Sequence, residues 1–93
     1  MKYKYECIFI LGGYNNYAEE TFEDMMRYVN TQAQVVEGED LGLKKLAYRI
    51  QGNDKGHYYI IKFEANSEFI PELERKMRLD QNIIKFITMR LED

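Results

Sequence analysis

Ninety-three residues, 45% of them hydrophobic, supply one core and leave too little for a second, so residues 1–93 read as a single domain. Thirteen lysines and arginines against sixteen aspartates and glutamates give a formal charge of -3, which excludes a partner held by overall positive charge and makes any nucleic-acid contact local. A single proline and a single cysteine exclude a proline-rich linker and an internal disulfide.

The chain opens Met1-Lys2-Tyr3-Lys4-Tyr5-Glu6, with charges where a signal peptide carries its apolar stretch, and no apolar run approaches membrane-spanning length. A cytoplasmic location without membrane attachment is expected. Tyr3 to Leu11 alternates with period two and predicts a strand, with Tyr3, Tyr5, Cys7, Phe9 and Leu11 on one face and Lys4, Glu6, Ile8 and Ile10 on the other. Gly12-Gly13 end it. Asn16 is placed to cap a helix in which Ala18, Phe22, Met25, Met26 and Val29 form one apolar stripe, opposite an acidic cluster of Glu19, Glu20, Glu23 and Asp24.

Val35 to Ile50 predicts a second strand, with Leu46, Tyr48 and Ile50 on one face. Gln51 to Gly56 is rich in residues that tolerate positive φ and predicts a turn, and His57 to Ala65 is a third strand pairing with the second as a hairpin. Ser67 is placed to cap a second helix with Pro71 in its first turn and Ile70, Leu73 and Met77 at helical spacing. Asp80-Gln81-Asn82 break it, and Ile83 to Leu91 is a last strand whose isoleucines occur at both parities. The order β-α-β-β-α-β, with right-handed crossovers, predicts an α+β ferredoxin-like domain: a four-stranded antiparallel sheet with two helices on one face.

Fold does not decide function, and the catalytic signals are absent from the sequence. The only histidine, His57, and the only cysteine, Cys7, lie fifty residues apart with no metal-ligand spacing, and no nucleophile stands beside a base. The expectation is no enzyme, no metal, no cofactor and no small-molecule substrate. Glu6, in an otherwise apolar strand, needs either solvent or a cation beside it. Lys44, Lys45 and Arg49 occupy an acid-free stretch, and with Lys2 and Lys4 they suggest a basic edge.

Three blocks carry a resemblance: Tyr5-Glu6 before an apolar strand, Gly42-Leu43-Lys44-Lys45-Leu46-Ala47-Tyr48-Arg49-Ile50, and Gly56-His57-Tyr58-Tyr59. These resemble the bacterial-type family of small-subunit ribosomal protein six, whose second strand reads Gly-x-(Arg/Lys)-(Arg/Lys)-Leu-Ala-Tyr-x-Ile. Glu72 to Asp80 is similar to its second helix and Ile83 to Arg90 to its closing strand, so nearly the whole chain is covered. Departures are Arg49 where proline is frequent, His57 where tyrosine is usual, and Gly12 to Asn16 in place of a proline-containing turn. The resemblance implies a structural constituent of the small ribosomal subunit, monomeric when free, binding the central domain of small-subunit rRNA together with small-subunit ribosomal protein eighteen. Candidate rRNA contacts are Lys2, Lys4, Lys44, Lys45, Arg49 and Arg90. Candidate contacts to the protein partner are Ile8, Ile10, Tyr58 and Ile60, which alternation puts on the sheet face opposite the core, as a patch flanked by Lys4, Glu6 and Lys62.

Two rival readings share the element order. An RNA-recognition motif would need Phe9 and Tyr59 on the open face for base stacking, whereas here each alternates with core-type residues. A dimeric ferredoxin-like enzyme or ligand sensor could use the tyrosine-rich sheet as a pocket wall, but lacks an acid-base pair.

Overall fold

A computed structural model describes residues 1–91. The elements are β1 (Lys2–Gly12), α1 (Ala18–Gln32), β2 (Gln34–Ile50), β3 (Asn53–Asn66), α2 (Phe69–Leu79) and β4 (Ile83–Arg90), in the order that hydrophobic periodicity predicts. All pairings are antiparallel and the sheet order is β2-β3-β1-β4, which makes β1 and β3 the central strands. This is the ferredoxin-like arrangement.

Both helices cover one face. Tyr5, Cys7, Phe9 and Leu11 of β1 and Tyr59, Ile61, Phe63 and Ala65 of β3 pack there against Ala18, Met25 and Val29 of α1 and Phe69, Leu73 and Met77 of α2. Phe9, Phe22 and Tyr59 form an aromatic stack, with the Phe22 and Tyr59 ring centroids 4.5 Å apart. Burial of large apolar side chains on this scale, about 1.5–3 kcal/mol each, is the main force fixing the register, because a one-residue slip would turn every one of them to the opposite face.

Both helix starts differ from the expected caps by one residue. α1 begins after Tyr17 rather than after Asn16, with Asn15 Oδ1 accepting the Tyr17 N–H at 2.6 Å. α2 begins after Glu68 rather than Ser67, and the Ser67 carbonyl accepts the Ile70 N–H at 3.2 Å. Neither cap residue makes a side-chain capping bond, so polar side chains near a helix start did not mark its first residue.

The turn between β2 and β3 is also shorter than expected. It consists of Gln51 and Gly52, both at positive φ (49° and 81°), as a tight two-residue hairpin requires, and Asn53 to Gly56 belong to β3. Asn53 replaces the longer loop by donating its side-chain amide to the Ile50 and Gln51 carbonyls.

Near that turn the ladder is irregular. Lys45 pairs with Lys55 and Ile50 with Asn53, so residues 46–49 of β2 stand opposite residue 54 alone. The surplus residues break the alternation expected of Leu46, Tyr48 and Ile50: Leu46 is 6% exposed and Tyr48 67%. The hairpin arches past the end of β1 and reaches β4, where Gln51 Nε2 donates to the Ile84 carbonyl at 3.5 Å. Gly13 permits this crossing. A Cβ there would stand 2.8 Å from the Lys55 carbonyl oxygen, and the Gly13 N–H donates to that same oxygen at 2.9 Å.

Candidate functional site

The face of the sheet away from the helices holds the residues expected to meet a partner. Ile8 pairs with Ile60 and Ile10 with Tyr58 across β1 and β3, and none of the four belongs to the core under the helices. The contiguous patch expected from alternation is therefore present. Its exposure is not as expected. Ile10 and Ile60 are only 7% and 9% exposed; the arched hairpin brings Leu46 against Gly56 beside Ile10, while Ile60 lies on a central strand between Ile8 and Glu39.

The exposed apolar surface lies instead on the flanking strands. Ile87 and Met89 of β4, beside Ile8 and Glu6 of β1, are 53% and 39% exposed, and Tyr48 stands across from them on the hairpin. Ile8, Ile10, Leu46, Tyr48, Tyr58 and Ile87 line a groove of about 410 Å³ between hairpin and sheet. The β4 residues were ambiguous in sequence because the β1–β4 register shifts between Ile10 and Leu11. That irregularity sends Ile83 into the core while Ile87 faces outward.

Charges rim the patch. Lys62 Nζ lies 3.8 Å from Glu6 and 3.6 Å from Glu37, so Glu6 takes the second of its two readings and pairs with a neighbouring cation. Lys44 Nζ stands 5.8 Å over the ring of Tyr58, a cation–π contact that places this lysine beside the same groove.

The cations expected to form one basic edge divide into two groups. Lys2, Lys4 and Arg90 gather with Tyr3 and Glu64 at one end of the sheet, where the Arg90 guanidinium stacks 3.5 Å over the Tyr3 ring. Lys44 and Lys45 pair with Gly56 and Lys55 at the opposite end, and Arg49 lies in the irregular stretch beside them. The eleven residues of β1 separate the groups by about 30 Å at the strand rise per residue. One continuous edge is excluded by the antiparallel register, which sends the start of β1 and the hairpin tip to opposite ends.

His57 is held in a local network. Its Nε2 lies 2.7 Å from Asp40 Oδ1, and its ring stacks on Tyr59 with centroids 4.6 Å apart and planes 2° from parallel. Asp40 also accepts the Gly42 N–H at 2.8 Å, at a ladder irregularity where Gly42 has φ +91°. Partial burial alone would raise the Asp40 carboxyl, but the His57 hydrogen bond, the Gly42 N–H and the His57 charge together hold it below the ordinary carboxylate range.

Cys7 is fully buried between β4 and α2, and burial pushes its thiol up to about 12, so it is an uncharged core group at neutral pH. Among the described residues no three or more His, Cys, Asp or Glu side chains converge to hold a metal ion. No helix of the described residues is long and apolar enough to cross a membrane. Phe9 and Tyr59 are 0% and 2% exposed beneath the helices, so base stacking in the manner of an RNA-recognition motif is closed to them.

Comparison with known proteins gives a consistent answer. Residues 4–90 match the family model described as Ribosomal protein S6. A small ribosomal subunit protein bS6 from a Nitratiruptor species is 40% identical over 91 residues, which are 95% of this chain and 71% of that protein. The bS6 protein of Rickettsia prowazekii is 35% identical over 91 residues, 95% of this chain and 75% of its own length. The crystal structure of 30S ribosomal protein S6 from Thermotoga maritima is similar with a TM-score of 0.91 at 25% identity, covering 98% of this chain and 89% of that one.

Proposed function

This chain belongs to the ribosomal protein S6 family, and from that premise we propose that it binds the central domain of small-subunit rRNA jointly with small-subunit ribosomal protein eighteen, in a structural and not a catalytic role. As a member of the family it is a component of the small subunit of the cytoplasmic ribosome. The observation that carries the joint-binding reading is the apolar groove on the open face, with Ile87, Met89 and Tyr48 exposed and the Glu6–Lys62–Glu37 charges at its rim. A monomer that exposes a contiguous apolar surface with a polar rim has the anatomy of one half of a protein interface. A net charge of -3 supports the dependence on a partner, since the free chain has little general attraction for phosphates.

On this reading Ile8, Ile10, Tyr58 and Ile60 contribute the floor of the partner site, Ile87, Met89 and Tyr48 its accessible part, and the two cation groups contact rRNA at separate places. The free chain is a monomer awaiting its partner. The test is a titration of a central-domain rRNA fragment with the chain alone, with the eighteenth protein alone, and with both. Tight binding only when both are present is the expected result. Equal affinity of the lone chain, or no complex with both proteins present, would refute the proposal.

A further inference from the structure

Resting on the rRNA reading, we infer that the phosphate-binding surface at the hairpin end extends beyond β2 onto Arg78 of α2 and Lys85 of β4, with Lys55 of β3 between them. The arch brings these residues together. Gln51, at the hairpin tip, reaches the Ile84 carbonyl, and Gln51, Arg78 and Lys85 line one small cleft. Lys44, Lys45, Arg49, Lys55, Arg78 and Lys85, from four separate elements, thus share one end of the molecule.

Two physical features favour an anion there. Lys45 and Lys55 stand directly opposite each other across the hairpin, and facing like charges are unfavourable unless an anion lies between or above them. Among the described residues none of the six cations forms an ion pair with a carboxylate: the pairs are Arg27–Asp24, His57–Asp40, Lys62–Glu6 and Lys62–Glu37. Two acids at this end are already engaged, Asp54 by the Tyr14 hydroxyl and Asp80 by the Asn82 N–H. The acidic first turn of α1 starts at this same end, where Thr21 Oγ1 accepts from Asn82 Nδ2 at 3.3 Å, yet among the described residues neither Glu19 nor Glu20 forms an ion pair with any of the six cations.

A cluster of positive charge on an acidic chain is suited to a concentrated polyanion, which the phosphate backbone of a folded RNA supplies. Lys44 and Lys85 are forty-one positions apart in sequence, and the fold with its arched hairpin brings them to one end. Arg78 is also steadied for the role, its guanidinium standing 5.8 Å over the Phe86 ring.

The test is the salt dependence of the joint complex of this chain, the eighteenth protein and the central-domain rRNA fragment. Arg78→Gln/Lys85→Gln is expected to reduce the slope of log affinity against log salt by about one to two, one phosphate contact per cation lost. Arg27→Gln, which removes one charge from the exposed acidic helix, is the control and is expected to leave the slope unchanged. Thermal unfolding of each variant separates lost binding from lost fold. A double variant that folds and keeps the wild-type slope overturns the inference while leaving the joint-binding reading intact. A control that flattens the slope as much per charge overturns it too, because net charge would then account for the effect. Absence of any complex with the wild-type chain refutes the joint-binding reading, and the inference falls with it.

Discussion

Leu46 closes over Gly56: a Cβ built on that glycine would stand 3.2 Å from Leu46 Cδ2 and would collide with Ile10 Cγ2. The hairpin therefore arches because a side chain is missing on β3 where one from β2 must descend. The same descent buries Ile10 and narrows the exposed part of the open face.

Gly56→Ala puts a methyl group into that contact. Overpacking of this kind costs about 1–3 kcal/mol, and relief requires Leu46 to lift away from the sheet. The expected outcome is a lower urea midpoint together with faster amide exchange in residues 44–56 than in the helices. Unchanged stability and exchange would mean that the arch is not held at this point.

Strand and helix order, the antiparallel hairpin and the core set were legible in the sequence because period-two and helical spacing report directly which face is buried. Phe9 and Tyr59 were read correctly for that reason. Alternation carries no information about a third layer, however, so the closing of Leu46 over the sheet beside Ile10 is not legible in it. Ladder irregularities hid more: the surplus at residues 46–49 and the shift at Ile10/Leu11 each break the parity on which facing was read. The two-group division of the cations follows from pairing register, which the positions of lysines along a chain do not encode.

Lys44 and Lys45 sit together at the hairpin end, away from Lys2 and Lys4. Lys44→Ala/Lys45→Ala is expected to weaken the joint rRNA complex and to flatten its salt slope by about one to two. Removing Lys44 also deletes its contact with Tyr58 beside the groove, so Lys45→Ala alone is the cleaner measure of phosphate contact. A salt slope equal to wild type in both variants would remove these residues from the RNA surface.

Asp40 gives a pH dependence with a defined sign. Its carboxyl is held below the ordinary range in the folded chain, so its contribution is complete above the unfolded-state value and is lost as pH falls through the folded value. The window opens below about pH 4, where an unperturbed aspartate begins to protonate. The Asp40 side chain is 55% exposed, so solvent screening keeps the effect small. Urea denaturation of Asp40→Asn and wild type is expected to show the larger difference at pH 7 and a smaller one at pH 3. A difference that does not change with pH would assign the role of Asp40 to neutral hydrogen bonding to His57 and Gly42.

Ile87 and Ile60 lie in one row with Ile8 between them, yet they answer differently to a charge. Ile60 is on a central strand and 9% exposed, opposite Ile8 and Glu39, and Lys62 on the same face is already paired with Glu6 and Glu37. Ile60→Asp therefore buries a carboxylate beside other carboxylates, and the isolated domain should lose about 3 kcal/mol or more. Ile87 is on the edge strand and 53% exposed, so Ile87→Asp leaves its carboxylate in water and should cost the free chain about 1 kcal/mol or less. Partner affinity should follow the opposite order of informativeness. Docking over the groove would desolvate the new carboxylate at position 87, and affinity for the eighteenth protein should fall by about 2 kcal/mol or more, roughly thirtyfold. Calorimetric titration beside thermal unfolding reads both quantities in one preparation. If Ile87→Asp folds as wild type and binds the eighteenth protein with unchanged affinity, the partner does not cover this face, and the groove beneath the hairpin serves something else.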